Sequence, residues 1–165
     1  MIEMQDFRTA MSRLGAAVNI ITTDGPEGRF GMTASAVCSV SDEPASLLVC
    51  INRSARMHRY LKANGRFAVN VLAAAQEGHS RRFSDSALTM DQRFEGCGPW
   101  IDMGGLPGLG EALAVLGCSV ESVAEVGTHS VFFGTVEHLA LGSEADGLAY
   151  FARRYHALPV AGAAA

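Results

Sequence analysis

The sequence predicts a mostly β protein, an antiparallel barrel with peripheral helices. Three observations carry this. β-branched and alternating apolar runs recur along the whole chain. Clusters of Gly, Pro, Asp and Ser link most of those runs as turns. Helical patterns interrupt the strands at only two or three places, so the regular strand–helix alternation of a doubly wound parallel sheet is missing.

Met4, Phe7, Met11 and Leu14 follow helical spacing, with Gly15 as a C-terminal stop. Ala17 to Thr23 is β-branched and strand-like, and Asp24 to Gly28 is a turn that returns Arg29 to Thr33 as a hairpin partner. Ala36 to Val40 and Ser46 to Ile51 are two further strands around the turn Ser41-Asp42-Glu43-Pro44. Ser54 is a good N-cap for a helix reaching about Ala63, with Gly65 just past its end. Phe67, Val69 and Val71 alternate as a strand; helices are predicted over Gln76 to Phe83 and Leu88 to Phe94. Glu95 to Gly110, with six glycines and two prolines, is predicted irregular. Cys118 to Val126 and Ser130 to Leu141 are two long strands joined by Gly127-Thr128-His129. A last strand near Leu148 to Phe151 leads into Arg153-Arg154-Tyr155-His156. The total is about seven strands, with no repeat and no domain boundary.

The chain has 165 residues, 48% apolar and 18% charged, enough for one well-packed domain over 1–158. The Ala-rich end at 159–165 is expected to fray. A net charge of −4 carries no basic footprint for nucleic acid. Twelve of the thirteen basic residues are Arg, the side chain suited to forked bonds with phosphate or carboxylate. Cys38, Cys50, Cys97 and Cys118 include no C-x-x-C pair and are read as reduced core or near-core thiols. No signal pattern precedes Phe7 and no apolar run is long enough for a bilayer, so a cytoplasmic protein without membrane contact is expected.

Several site classes are absent from the sequence. There is no G-x-G-x-x-G after a strand, no Walker A, no H-E-x-x-H and no G-x-S-x-G. The five histidines are scattered singly, and no metal site is predicted. Two segments are candidates for binding. Asn52-Arg53-Ser54 stands where a strand gives way to a helix, where free N–H groups and the helix dipole favour an anion; alternatively Ser54 only caps the helix and Arg53 is solvated. Arg81-Arg82 on the next helix could reach the same phosphate or form a surface face. In Thr33-Ala34-Ser35-Ala36, small and hydroxyl residues let a flat ligand approach the backbone; the alternative is an ordinary small-residue strand.

These segments stand in a telling order. Phe7-Arg8-x-Ala10-Met11, Ala17 to Thr23, Gly31-x-Thr33 to Val40, Cys50-Ile51-Asn52-Arg53-Ser54, Gly127-Thr128-His129 and Tyr150-Phe151-x-Arg153-Arg154-Tyr155-His156 together resemble the short-chain flavin reductases. These are the reductase components of two-component flavin monooxygenases, including the reductases of pyrimidine utilisation and of 4-hydroxyphenylacetate hydroxylation. The run Met11-Ser12 through Pro26 leans toward the first.

The resemblance, which covers about Phe7 to Leu158, implies an FMN-binding split β-barrel that works as a homodimer. It implies reduction of FMN or FAD by NADH or NADPH, with reduced flavin passed to a separate monooxygenase. By the same resemblance Thr33, Ala34, Ser35, Ala36 and Val37 line the flavin ring. Cys50, Asn52, Arg53 and Ser54 run along the ribityl chain toward the phosphate, which Ser80, Arg82 and Phe83 also approach. His129 lies near ring and nicotinamide and is the candidate catalytic residue, without a proton-donor role. Arg153, Tyr155 and His156 border the groove. Some relatives carry Asp where this chain has Thr128, so no mechanism needing a carboxylate there is carried over.

Hydride transfer is the cofactors' own chemistry; the protein supplies stacking, orientation and charge. Donors such as Thr33 and Ser35 would stabilise negative charge on the N1–C2=O edge of a reduced ring. Two other readings share the fold: a flavin carrier without turnover, and an oxidase resembling pyridoxamine-phosphate oxidases.

Overall fold

The computed structural model describes residues 1–160. Positions 161–165, most of the expected frayed tail, lie outside the described residues. The helix α1 spans Met4–Ser12. The strands β1 (Ala16–Ala17), β2 (Asn19–Thr23), β3 (Phe30–Ala34), β4 (Val37–Asp42) and β5 (Ala45–Asn52) follow. Next come α2 (Arg56–Asn64), β6 (Arg66–Val71), a 3-10 turn (Ala74–Gln76), α3 (Glu77–Ser84) and α4 (Met90–Glu95). The chain continues through β7 (Trp100–Asp102), β8 (Pro107–Leu109), β9 (Ala114–Val126), β10 (His129–Leu141), β11 (Gly147–Phe151) and β12 (Arg154–Leu158).

Seven strands form one antiparallel sheet in the order β3-β2-β6-β9-β10-β5-β4. Its two edges, β3 and β4, are joined by only Ser35 and Ala36. So short a link forces the sheet to curl until its edges approach, yet β3 and β4 do not pair. The result is a barrel split at that seam, as the resemblance implied. A three-stranded sheet, β1-β11-β12, stands beside it.

β2, buried at all five positions, lies at the centre of the packing. One apolar cluster fills the barrel with Val49, Ile51, Met57, Leu61, Phe67 and Phe132. A second, with Val18, Phe83, Phe94, Leu106, Leu109 and Leu148, is covered by α3, α4 and the β7–β8 hairpin. The buried Asn70 side chain ties β6 to β2 and to the end of the β7–β8 hairpin. Its Nδ2 donates to the Ile20 carbonyl (2.9 Å) and Thr22 Oγ1 (3.2 Å), and its Oδ1 accepts from Leu109 N–H at 2.6 Å.

Four expectations change. The strands number twelve among the described residues, because short pairs such as β1 and β7–β8 carry too few residues for a periodic signal. The supposedly irregular Glu95 to Gly110 stretch holds the β7–β8 hairpin, with Trp100 opposite Leu109. Ser54 does not cap α2: Ala55 holds the N-cap position without a side-chain bond, while Ser54 N–H and Oγ both donate to Asn52 Oδ1 at 2.9 and 2.8 Å. The cysteines are not all core residues. Cys118 is buried and Cys38 is exposed on β4. No helix among the described residues is long and apolar enough to cross a membrane.

Candidate functional site

A cleft of about 810 Å³ opens where the end of β3, the outer face of α3 and the β11–β12 hairpin meet. Thr33, Ala34 and Ser35 line one side with small side chains. Arg81, Ser84 and Asp85 line the helix side, and Tyr150, Arg153, Arg154 and Tyr155 the hairpin side.

Helical spacing explains which α3 residues face the cleft. Gln76, Ser80 and Phe83 are buried, and Glu77, Arg81 and Ser84 fall together on the flanking face, about a quarter turn round the helix. Ser80 supports the site from behind: its carbonyl accepts from Thr33 Oγ1 at 2.6 Å, and its hydroxyl lies 2.8 Å from the Tyr155 phenol. Phe83 packs beneath Gly31, where any Cβ would strike its ring. Arg82 turns away and donates to the Gln92 carbonyl at 3.1 Å.

The hairpin tip is unusual. Ala152 (φ 50°) and Arg153 (φ 62°) both adopt left-handed backbone, a strained state for residues other than Gly, Asn or Asp. That turn brings Arg153 and Arg154 to the rim. Tyr150 and Tyr155 pair across the ladder, their rings 5.3 Å apart, and the Arg81 guanidinium lies 4.9 Å from the Tyr155 centroid. Arg81 also pairs with Glu77 at 2.6 Å.

The structure divides the sequence candidates into two groups. Thr33, Ala34, Ser35, Arg153 and Tyr155 share the cleft, while Asn52, Arg53, Ser54 and His129 gather at the tip of the β9–β10 arm. His129 pairs in register with Asn52, and its Nδ1 lies 3.0 Å from Thr128 Oγ1. Arg53 is engaged by Glu125 Oε2 (3.1 Å) and the Gly127 carbonyl (2.5 Å), an exposed pairing of the same kind as that of Arg81 with Glu77. Ala36, Val37 and Cys50 link the groups, Cys50 N–H donating to the Ala36 carbonyl at 3.0 Å. His156 lies outside the cleft. Register places it beside Ala149 on the other face of the small sheet, where it lines an apolar pocket with Phe151 and Leu158.

With the cleft in view, the comparison with known proteins decides the family. Residues 11–159 match the flavin reductase like domain. The chain belongs to the flavin reductase family. An FMN reductase (NADH), RutF, of Pantoea ananatis is 49% identical over 95% of this chain and 82% of its own length. The 4-hydroxyphenylacetate 3-monooxygenase reductase component of Pseudomonas aeruginosa is 46% identical over 93% of this chain and 91% of its own. The Streptomyces globisporus NADH:FAD oxidoreductase SgcE6, solved with NAD and FAD fragments, superposes with a TM-score of 0.86 at 29% identity, covering 100% of this chain and 99% of its own.

The residues present in this flavin reductase fit a flavin. The cleft volume lies within the usual range of ligand sites. Small side chains leave room for a flat ring against β3, and the three arginines at the other walls suit a phosphate. Of the pair Arg81-Arg82 the structure presents Arg81 to the cleft, and it adds Tyr150 to the candidates from the hairpin. The signal lies in helical spacing: with Phe83 in the core, Arg81 falls about 160° round the helix from it and Arg82 only about 100°.

Proposed function

We propose that the cleft between β3, α3 and the β11–β12 hairpin holds FMN, and that this flavin reductase uses NADH to reduce it for release to a separate monooxygenase. The observation that carries the reading is the pairing of a small-residue wall, Thr33-Ala34-Ser35, with the cationic rim Arg81, Arg153 and Arg154. The named activity of the 49% identical relative, an FMN reductase (NADH), supplies the choice of FMN and NADH, and that of the 46% identical reductase component the separate monooxygenase.

A bound flavin would supply hydride acceptance; the chain supplies binding and orientation. Arg81 and Arg153–Arg154 would hold the phosphate, and the Ser35 N–H and hydroxyl would serve as donors to the polar edge of the ring. Thr33 has its hydroxyl proton committed to the Ser80 carbonyl, so its role is to fix the β3 backbone. His129 and Asn52, paired in register at the arm tip, form a second polar group that would meet the nicotinamide in this reading. Exposed arginines bind reversibly, which suits a flavin that must leave.

The working unit in this reading is a homodimer. Met4, Phe7 and Met11 on α1 are all exposed, and no residue of α1 is buried within the single chain. An amphipathic helix with an uncovered apolar side is a feature that a second subunit would cover.

Mixing protein, FMN and NADH and following nicotinamide absorbance tests the activity. Loss of NADH that depends on both protein and FMN is expected. A flavin that binds yet is not reduced would instead identify a carrier. Sedimentation of the free protein tests the dimer.

A further inference from the structure

The β4–β5 ladder places two thiols together that neither the fold nor the proposed reaction requires. Cys38 pairs in register with Leu48, and Cys50 N–H bonds to the Ala36 carbonyl. Opposed residues share a sheet face, and so do residues two apart. Cys38 and Cys50 are therefore diagonal neighbours on one face. Burial, and after it the nearby Cys38, push the Cys50 thiol up.

We propose that Cys38 and Cys50 form a peroxide-sensitive dithiol that closes to an intramolecular disulfide across β4 and β5. Diagonal partners average roughly 7–8 Å between Cα atoms, and a disulfide needs about 7 Å or less. Only a small approach is needed. β4 is an edge strand with an irregular register between Ser39 and Ser41, so it can supply that movement.

The exposed Cys38 meets hydrogen peroxide first. Its thiolate attacks one peroxide oxygen; an S–O bond forms, the O–O bond breaks, and the departing hydroxide takes a proton to become water. The Cys50 sulfur then attacks the Cys38 sulfenic acid. An S–S bond forms, the S–O bond breaks, and the hydroxyl leaves as a second water with the Cys50 proton. Two thiols lose two electrons in total, and one peroxide gains them.

The location gives the bond a consequence, which rests on the proposed flavin site. Ala36, bonded to Cys50, follows Ser35 of the cleft, and Asn52 stands two residues beyond Cys50. A cross-link here pulls on the strand that leaves the flavin wall. The thiol chemistry itself needs no flavin, so the two readings fail separately.

The test treats reduced, flavin-free protein with hydrogen peroxide, then counts thiols after denaturation and maps peptides. Two of the four thiols should disappear into a Cys38–Cys50 peptide that dithiothreitol reopens. Cys118, whose thiol is pushed up to about 12 by burial, should remain free. In Cys38→Ser, whose fold is checked by circular dichroism, Cys50 should survive the same dose. FMN affinity measured by fluorescence should fall several-fold on oxidation and recover on reduction. Four surviving thiols, a disulfide between chains, or Cys38 oxidised to sulfinic acid with Cys50 still free would overturn the proposal.

Discussion

The Tyr155 phenol and the Ser80 hydroxyl lie 2.8 Å apart, and that contact fastens the β11–β12 hairpin to the buried face of α3. Two of the three sides of the cleft belong to these two elements, and β3 forms the third. Tyr155→Phe removes the bond while keeping the ring that carries Arg81. A lost hydrogen bond of this kind costs about 1 kcal/mol, so FMN affinity should fall roughly fivefold. Fluorescence titration checks this; unchanged affinity would show that the hairpin is held by other contacts.

Arg81 and Arg82 are adjacent in sequence but face different surroundings. Arg81→Ala should weaken FMN binding about tenfold, the loss of one charge-assisted contact, and should reduce the salt dependence of binding. Arg82→Ala should leave FMN affinity unchanged, because its guanidinium packs against Gly96 and bonds to Gln92. Titrations at two salt concentrations separate the variants.

The strained turn at Ala152–Arg153 sets stability against binding. Ala152→Gly removes a left-handed alanine and should raise stability by about 0.5–1 kcal/mol. Arg153→Gly should stabilise the turn similarly but lower FMN affinity. Urea denaturation and flavin titration, run in parallel, read the two effects.

Asn70 satisfies three backbone or hydroxyl partners inside the barrel. Asn70→Leu would strand the Leu109 N–H and the Ile20 carbonyl region. The expected loss is about 3 kcal/mol, read from the urea midpoint.

Burial lowers the affinity of His58 for a proton, with Lys62 adding to the effect; for His79 burial again leads, and Arg82 adds to it. The unfolded chain therefore binds protons more readily than the folded one near pH 6.5. Stability should be fully present above that value and decline as pH falls through it, levelling off below the folded values. His58→Gln should flatten the slope between about pH 5 and 7. A midpoint that rises on acidification would contradict this.

Much of the site was legible in linear order. Thr33-Ala34-Ser35 and Arg153 to Tyr155 were singled out by composition and resemblance, and they meet in one cleft. Arg53-Ser54 is legible as a strand-to-helix junction, but its partners are not, because the neighbouring hairpin brings them. Glu125 and the Gly127 carbonyl, more than seventy residues away, occupy that arginine. His156 misled for a simpler reason: strand alternation places it opposite Tyr155, a consequence that needs the start of β12 to be known.

The sequence by itself determined the antiparallel class, the order of the long strands, the family, and the small residues that end β3. The class, the strands and the small residues follow from local periodicity, turn chemistry and residue type, which act over a few positions; the family follows from the resemblance of its ordered motifs. Only the tertiary structure decided which residues share a cleft. A two-residue link between opposite sheet edges, and a hairpin returning to α3 after some seventy residues, are long-range closures. Their geometry depends on how the sheet curls around its two cores, and no local pattern encodes that curl.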